Sequence, residues 1–247
     1  MFAGPNGSGK STLKEVLAAE LLGVYLNPDE IESTIRTRGS LDVRDYGVDV
    51  FPAIDSQARD FFESSTLLRK EGLLTNVPLL GFSSGVIEFS RVAVNSYHAS
   101  VLADFLRQRL LDQRASFTLE TVMSSPTKVD LLARAQSLGY RTYLYFVATA
   151  DPEINISRVE MRVRKGGHGV PKDKIEQRYH RSIGFLREAI RHTNRAYIFD
   201  NSGHDTARVW LAEITDGRTI EIKVSEIPEW FSVAILRAAK PATPDEQ

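Results

Sequence analysis

The chain contains no cysteine. Disulfides, thiolate metal ligands and a cysteine nucleophile are therefore excluded, and the composition suits a reducing cytoplasm. No apolar run reaches the roughly 20 residues that span a bilayer, and no signal peptide is visible. Neither sign of charge dominates: 31 Lys and Arg face 32 Asp and Glu, a net charge of -1. The whole molecule is thus no electrostatic partner for nucleic acid. Internal repeats and low-complexity blocks are absent as well. What remains is ordinary globular usage, 42% hydrophobic and 26% charged over 247 residues. That length suits one large α/β domain with a sizeable core.

The first strong signal is Gly4-Pro5-Asn6-Gly7-Ser8-Gly9-Lys10-Ser11, which fits G-x-x-x-x-G-K-[ST]. Its glycines let several backbone N–H groups converge on one concavity, and the next helix adds its own donors and dipole. Such a loop binds the phosphates of a nucleoside triphosphate, here ATP with Mg²⁺. Lys10 is expected on the β/γ-phosphates, the Ser11 hydroxyl on Mg²⁺ and Thr12 near the α-phosphate. Only Met1, Phe2 and Ala3 precede Gly4, so the first strand is expected to begin upstream of residue 1. The same loop occurs in transporter-type ATPases. Those also need an LSGGQ-like signature and a buried strand ending in Asp-Glu, and neither occurs here. This favours the kinase branch.

Further elements follow from periodicity. A helix is expected over Lys10–Leu22, a strand over Val24–Leu26, and a helix opened by Asn27 and Pro28 in a capping box with Glu30. Residues 36–95 read as an insertion, helical over Ile54–Glu71 and strand-like over Val86–Val94. Then come an amphipathic helix over Ser96–Gln113, a strand over Phe117–Glu120 and a helix over Thr127–Leu138. Thr142–Thr149 reads as a buried strand, and Asp151 caps the helix after it. Pro171 opens a long helix with Ile175, Tyr179, Leu186 and Ile190 on one face. Ala196–Phe199 is a strand running into Asp200-Asn201-Ser202-Gly203, and Thr219–Val224 is a hairpin arm. Alternating strands and helices predict an α/β fold, a P-loop kinase-like parallel sheet with helices on both faces. One domain is expected over 1–237, with 238–247 a flexible tail.

Two carboxylates stand where ligands of such sheets sit, beyond the carboxyl ends of strands. Asp29 could take a proton from an attacking hydroxyl, or merely favour a helix N-terminus. Glu120 ends a buried strand, which requires a partner: Mg²⁺, water, a substrate hydroxyl or an arginine. Thr121 and Ser124 offer hydroxyl contacts or turn and cap roles. Residues 157–181 carry eight Lys and Arg against three acids, a local charge of +5. Arg158 and Arg162 lie one turn apart on one helix; Lys174, Arg178 and Arg181 share a face of the next. Gly166-Gly167-His168-Gly169 joins them. This reads as a basic lid over transferring phosphate, with a solvated face or nucleic-acid patch as alternatives. His168 contacts substrate or fills a turn.

Four segments together resemble the zeta-toxin family of P-loop kinases: FAGPNGSGKST (Phe2–Thr12), YLNPDEI (Tyr25–Ile31), SFTLETVMS (Ser116–Ser124) and SRVEMRVRKGGHGVPKDKIEQRYHRS (Ser157–Ser182). The resemblance covers roughly 1–35 and 96–203. It implies a fold like nucleotide and sugar kinases, and transfer of phosphate to the sugar 3′-hydroxyl of UDP-N-acetylglucosamine in the best understood members. It implies Lys10 and Ser11 as phosphate and Mg²⁺ ligands, and Asp29 as base. Arg158, Arg162 and Arg164 are its nearest matches to transition-state arginines. Glu120, Thr121, His168 and Arg178 fall to the acceptor side, and the family admits an antitoxin-like protein partner. The chain departs from the toxins at Thr121-Val122, where they carry Gly-Thr. Its GGH…RY..RS lid is similar to free-standing chromosomal relatives, and the insertion lies where an acceptor site is shaped. Kinase chemistry thus carries over better than acceptor identity. An ATP-holding interaction module and a polynucleotide-end kinase are the competing readings. The last needs stacking aromatics in the lid, where only Tyr179 is available.

Overall fold

The computed structural model describes residues 1–167, 169–203 and 208–237. In chain order the strands are β1 (Phe2–Ala3), β2 (Val24–Leu26), β3 (Ser40–Asp42), β4 (Gly81–Ser83), β5 (Val86–Glu88), β6 (Phe117–Thr121), β7 (Tyr143–Ala148), β8 (Arg195–Asp200), β9 (Val209–Thr215) and β10 (Thr219–Ile222). The helices are α1 (Ala19–Leu22), α2 (Pro28–Arg38), α3 (Ile54–Glu63), α4 (Thr66–Lys70), α5 (Ser96–Asp112), α6 (Pro126–Ser137), α7 (Pro152–Arg164), α8 (Lys172–Arg191) and α9 (Glu229–Phe231). The fold class is α/β, as the alternation of elements predicted. The chain forms two compact units: residues 1–16 with 121–247, and residues 17–120.

The first unit carries strands in the order β10-β9-β8-β7-β1. β1, β7 and β8 run parallel, whereas β9 and β10 are antiparallel additions. β9 escapes the periodicity reading, although Asp216-Gly217 marks its hairpin with β10. Both residues have positive φ, 49° and 64°, as a type I′ turn requires. One sheet face packs Leu144, Phe146, Ile198 and Ile214 against Leu186 and Ile190 of α8 and Leu132 of α6. The apolar stripe foreseen on α8 is indeed buried at Ile175, Tyr179, Leu186 and Ile190. α6 and α7 share one start signal, a polar cap followed by proline. Ser125 Oγ accepts from Thr127 N at 3.3 Å, and Asp151 Oδ1 accepts from Glu153 N at 2.7 Å.

The expected helix Lys10–Leu22 is instead a 3-10 helix over Lys10–Val16 followed by the short α1. Thr12 accounts for the tight start. Its N–H donates three residues back to Gly9 O at 3.3 Å, and its hydroxyl donates to the same oxygen at 2.8 Å. Thr12 O in turn accepts from Arg208 Nη2 at 3.0 Å. Carbonyls of the first turn are thereby drawn away from the i→i+4 ladder.

The second unit holds β2 parallel to β6, and an antiparallel sheet in the order β3-β5-β4. Two expectations need correction here. The helix predicted over 54–71 is two helices, because Ser65 caps a new one by accepting from Leu68 N at 3.2 Å. The strand predicted over 86–94 stops at Glu88, where register with β3 and β4 ends. α5 is less amphipathic than expected: nine of its 17 residues are buried.

His98 sits at the head of α5, fully buried. Its backbone N–H donates to Asn95 Oδ1 at 3.3 Å, and Asn95 N–H donates to its Nδ1 at 3.4 Å, a reciprocal cap. Burial holds the imidazole below its ordinary range, against a smaller opposing pull from Glu32. The folded state thus disfavours the charged ring. Stability should fall as pH drops below about 6.5, where the unfolded histidine takes up its proton first. An NMR titration should place the His98 midpoint below that of a free imidazole. A midpoint at or above the free value would refute the neutral cap.

Candidate functional site

The P-loop, residues 4–11, leaves β1 and enters the 3-10 helix within the first unit. Its outward carbonyls are all engaged at residues 5, 6 and 8. Pro5 O accepts from Lys10 Nζ at 2.8 Å and from Ser8 N at 3.3 Å. Asn6 O accepts from Asn155 Nδ2, and Ser8 O accepts from Asn201 Nδ2 at 2.8 Å. Ser8 is fully buried and Lys10 is only 8% exposed. Ser8 Oγ and Asn6 Oδ1 are buried with no hydrogen-bond partner among the described residues. Such orphans are costly unless something polar meets them. Ser11 and Thr12 are exposed.

The lid residues belong to the same unit. α7 and α8 pack through Ile156, Val159 and Ile175. Arg162 and Arg164 are exposed and Arg178 is half-buried. Arg158, expected among the phosphate-directed lid arginines, is partly buried. Its Nη1 donates to Asn201 O and its Nη2 to Gly203 O, both at 2.7 Å. Lys172 pairs with Glu160 at 2.7 Å. That pair lowers the Glu160 carboxyl below its usual range. Both side chains are solvated, so it contributes little to stability. His168 lies outside the described residues.

In the second unit, Asp29 occupies the second position of α2. Its N–H donates to Asn27 Oδ1 at 2.9 Å. The carboxylate is exposed, and no hydrogen bond or ion pair engages it among the described residues. Asn27 also donates from Nδ2 to Glu120 Oε2 at 3.3 Å, so one amide ties the head of α2 to the end of β6. Glu120 further accepts a short hydrogen bond from the Tyr25 hydroxyl. Burial, then that bond and the glutamate's charge, push the Tyr25 hydroxyl well above its ordinary range, so it stays a donor. The Glu120 partners thus include a tyrosine and an asparagine, which the sequence reading did not foresee. Parallel register explains them: Tyr25 opposes Thr118 and Leu26 opposes Leu119, which brings the following pair together. Thr121, just beyond, accepts at Oγ1 from Met123 N at 3.1 Å, a turn contact.

Residues 90–212 match the model of the zeta toxin family. That match supports a place for the chain in the zeta-toxin family. The matched span runs from α5 to β9 and includes Glu120 and the lid, but not the P-loop or Asp29. An uncharacterized protein of Haemophilus influenzae (strain ATCC 51907 / DSM 11121 / KW20 / Rd) is 25% identical over 93 residues, 38% of this chain and 59% of that relative. Among solved structures, AvrRxo1-ORF1:-ORF2 with ATP superposes with a TM-score of 0.57 at 17% identity, covering 99% of this chain and 65% of that one. The same pair with sulphate ions gives a TM-score of 0.53 at 15% identity, covering 98% and 65%. The chain therefore spans less than two thirds of the length of the relatives it matches. At these identities the superpositions establish the fold.

Proposed function

We propose that the chain is an ATP- and Mg²⁺-dependent phosphotransferase whose acceptor is a hydroxyl of a small molecule, a UDP-N-acetyl sugar being the first candidate. The observation that carries this reading is the P-loop itself. Its carbonyls at residues 5, 6 and 8 accept from other protein groups, while the buried Ser8 hydroxyl has no partner among the described residues and can donate to a phosphate oxygen. The fold neighbour solved with ATP supports it. Among the described residues no three His, Cys, Asp or Glu side chains form a metal cage. That suits Mg²⁺, which needs few protein ligands when phosphate oxygens share it, and Ser11 would supply one. The ion would neutralise charge on the phosphates.

In this proposal Gly4 to Thr12 cradle the triphosphate. Asp29 accepts the proton of the acceptor hydroxyl as that oxygen bonds the γ-phosphorus. The bond from the γ-phosphorus to the β–γ bridging oxygen breaks, and ADP leaves with the electron pair. Arg162 and Arg164 stabilise charge on the transferring group, while Glu120, Thr121, His168 and Arg178 hold the acceptor. A cytoplasmic setting and an antitoxin-like protein partner complete the proposal. The two-protein ORF1:ORF2 complexes of the fold neighbours support the partner. No helix among the described residues is long and apolar enough to cross a membrane.

The test is purified protein with γ-labelled ATP, offered a UDP-N-acetyl sugar and, separately, a metabolite extract. A newly labelled product is expected, and it should vanish with Lys10→Ala. No product in either arm, with equal ATP hydrolysis by wild type and Lys10→Ala, would leave only a nucleotide-binding module.

A further inference from the structure

The Asp200-Asn201-Ser202-Gly203 turn and the first turn of α7 have no role in the chemistry above, yet both reach the P-loop. Asn155 and Thr149 are fully buried. Asn155 Nδ2 donates to Asn6 O, while its Oδ1 accepts a short bond from the Thr149 hydroxyl, which fixes the amide's orientation. Asn201 is held as firmly. Its N–H donates to Ala148 O at 2.8 Å, continuing the β7 ladder, and its Nδ2 donates to Ser8 O at 2.8 Å. Its own carbonyl accepts from Arg158 of α7.

Each brace packs against a loop glycine. A Cβ on Gly7 would lie 2.6 Å from Asn155 O, and one on Gly9 would lie 2.5 Å from Asn201 Nδ2. Both glycines have positive φ, 74° and 93°, which side-chain-bearing residues rarely adopt. A peptide whose carbonyl is drawn outward turns the next N–H inward. The two amides thus act on Asn6 O and Ser8 O, the carbonyls of the peptides preceding the N–H groups of Gly7 and Gly9.

We infer that Asn155 and Asn201 are positioning residues that hold the P-loop backbone in its phosphate-receiving shape, with Arg158 tying the basic lid helix to the same brace. The inference rests on the triphosphate reading of residues 4–12. It makes the Asp-Asn-Ser-Gly turn part of the nucleotide site through the backbone it holds, without touching nucleotide. It also gives Arg158 a task distinct from that of Arg162 and Arg164: reporting lid placement to the loop.

The experiment compares wild type, Asn201→Ala, Asn155→Ala and the double variant. It measures MgATP Kd by calorimetry, melting temperature without ligand, and hydrogen exchange of the amides of residues 6–9. Asn201 is only partly buried and keeps its backbone bond in the alanine variant, so it carries the test if Asn155→Ala fails to fold. Each loss should raise Kd about tenfold, the effect of one hydrogen bond of about 1.4 kcal/mol. It should also speed exchange at Gly7 or Gly9, with KM for the acceptor unmoved. A merely structural role would lower the melting temperature and leave Kd of the folded protein unchanged. A wild type that binds MgATP while Asn201→Ala binds within about twofold overturns the positioning role alone. A wild type that does not bind MgATP overturns the triphosphate reading, and this role with it.

Discussion

Asp29→Asn is expected to cut kcat for phosphoryl transfer by about 10²–10⁴-fold, the usual contribution of a positioned general base. MgATP affinity should scarcely change, because the triphosphate is assigned to Gly4–Thr12. The substitution is nearly isosteric, and the local structure does not need the carboxylate. The helix cap is made by the Asn27 side chain to the Asp29 backbone N–H, which asparagine retains. What is lost is the interaction of one negative charge with the head of α2, about 0.3–1 kcal/mol. For a protein of this size that moves the melting temperature by at most about 2–4 °C. The catalytic effect, several kcal/mol on the barrier, therefore exceeds the structural one and is separable from it. Single-turnover assays with a calorimetric Kd decide the matter. Transfer that persists within about threefold of wild type would remove Asp29 from the mechanism.

The parts of the fold legible in the sequence are those with local causes. Ser125-Pro126 and Asp151-Pro152 announce helix starts with a side-chain acceptor and a fixed φ. The apolar run of β7 and the stripe of α8 announce burial. The P-loop glycines sit where positive φ is needed. What escaped depends on contacts between distant segments. Asn155 and Asn201 reach Asn6 and Ser8 across separations of 149 and 193 residues. The Tyr25–Glu120 bond spans 95 residues and follows from strand register. Nor does local pattern foretell the tight turn at Thr12, which depends on its hydroxyl and on Arg208. Arg158 shows the same limit from the other side. Its charge and helical position suggested a phosphate ligand, and its two hydrogen bonds to backbone carbonyls are visible only in three dimensions.

Lys10→Met should reduce transfer by about 10²–10³-fold, the loss of about 2.7–4 kcal/mol seen when one preorganised charge-stabilising donor is removed. Methionine keeps an unbranched apolar stem, so the mostly buried side chain still fills its place. Pro5 O loses the ammonium but retains the Ser8 N–H at 3.3 Å. The lost charge-assisted bond, about 1.5–3 kcal/mol, is offset by no longer desolvating an ammonium group, which costs several kcal/mol. The melting temperature without ligand should therefore hold nearly steady. The response to nucleotide should not. If wild type is examined at a hundred times its Kd, MgATP stabilises it by about 2.7 kcal/mol; a tenfold weaker variant gains only about 1.4 kcal/mol at the same concentration. The ligand-induced rise in melting temperature should thus fall by about half while the baseline stays put. Lys10→Arg should not restore transfer, because a broad planar guanidinium cannot take the place of a compact ammonium in a loop this closely braced. An undiminished thermal shift in Lys10→Met would mean that the ammonium never meets the phosphates, and the assignment of the triphosphate to this loop would fail.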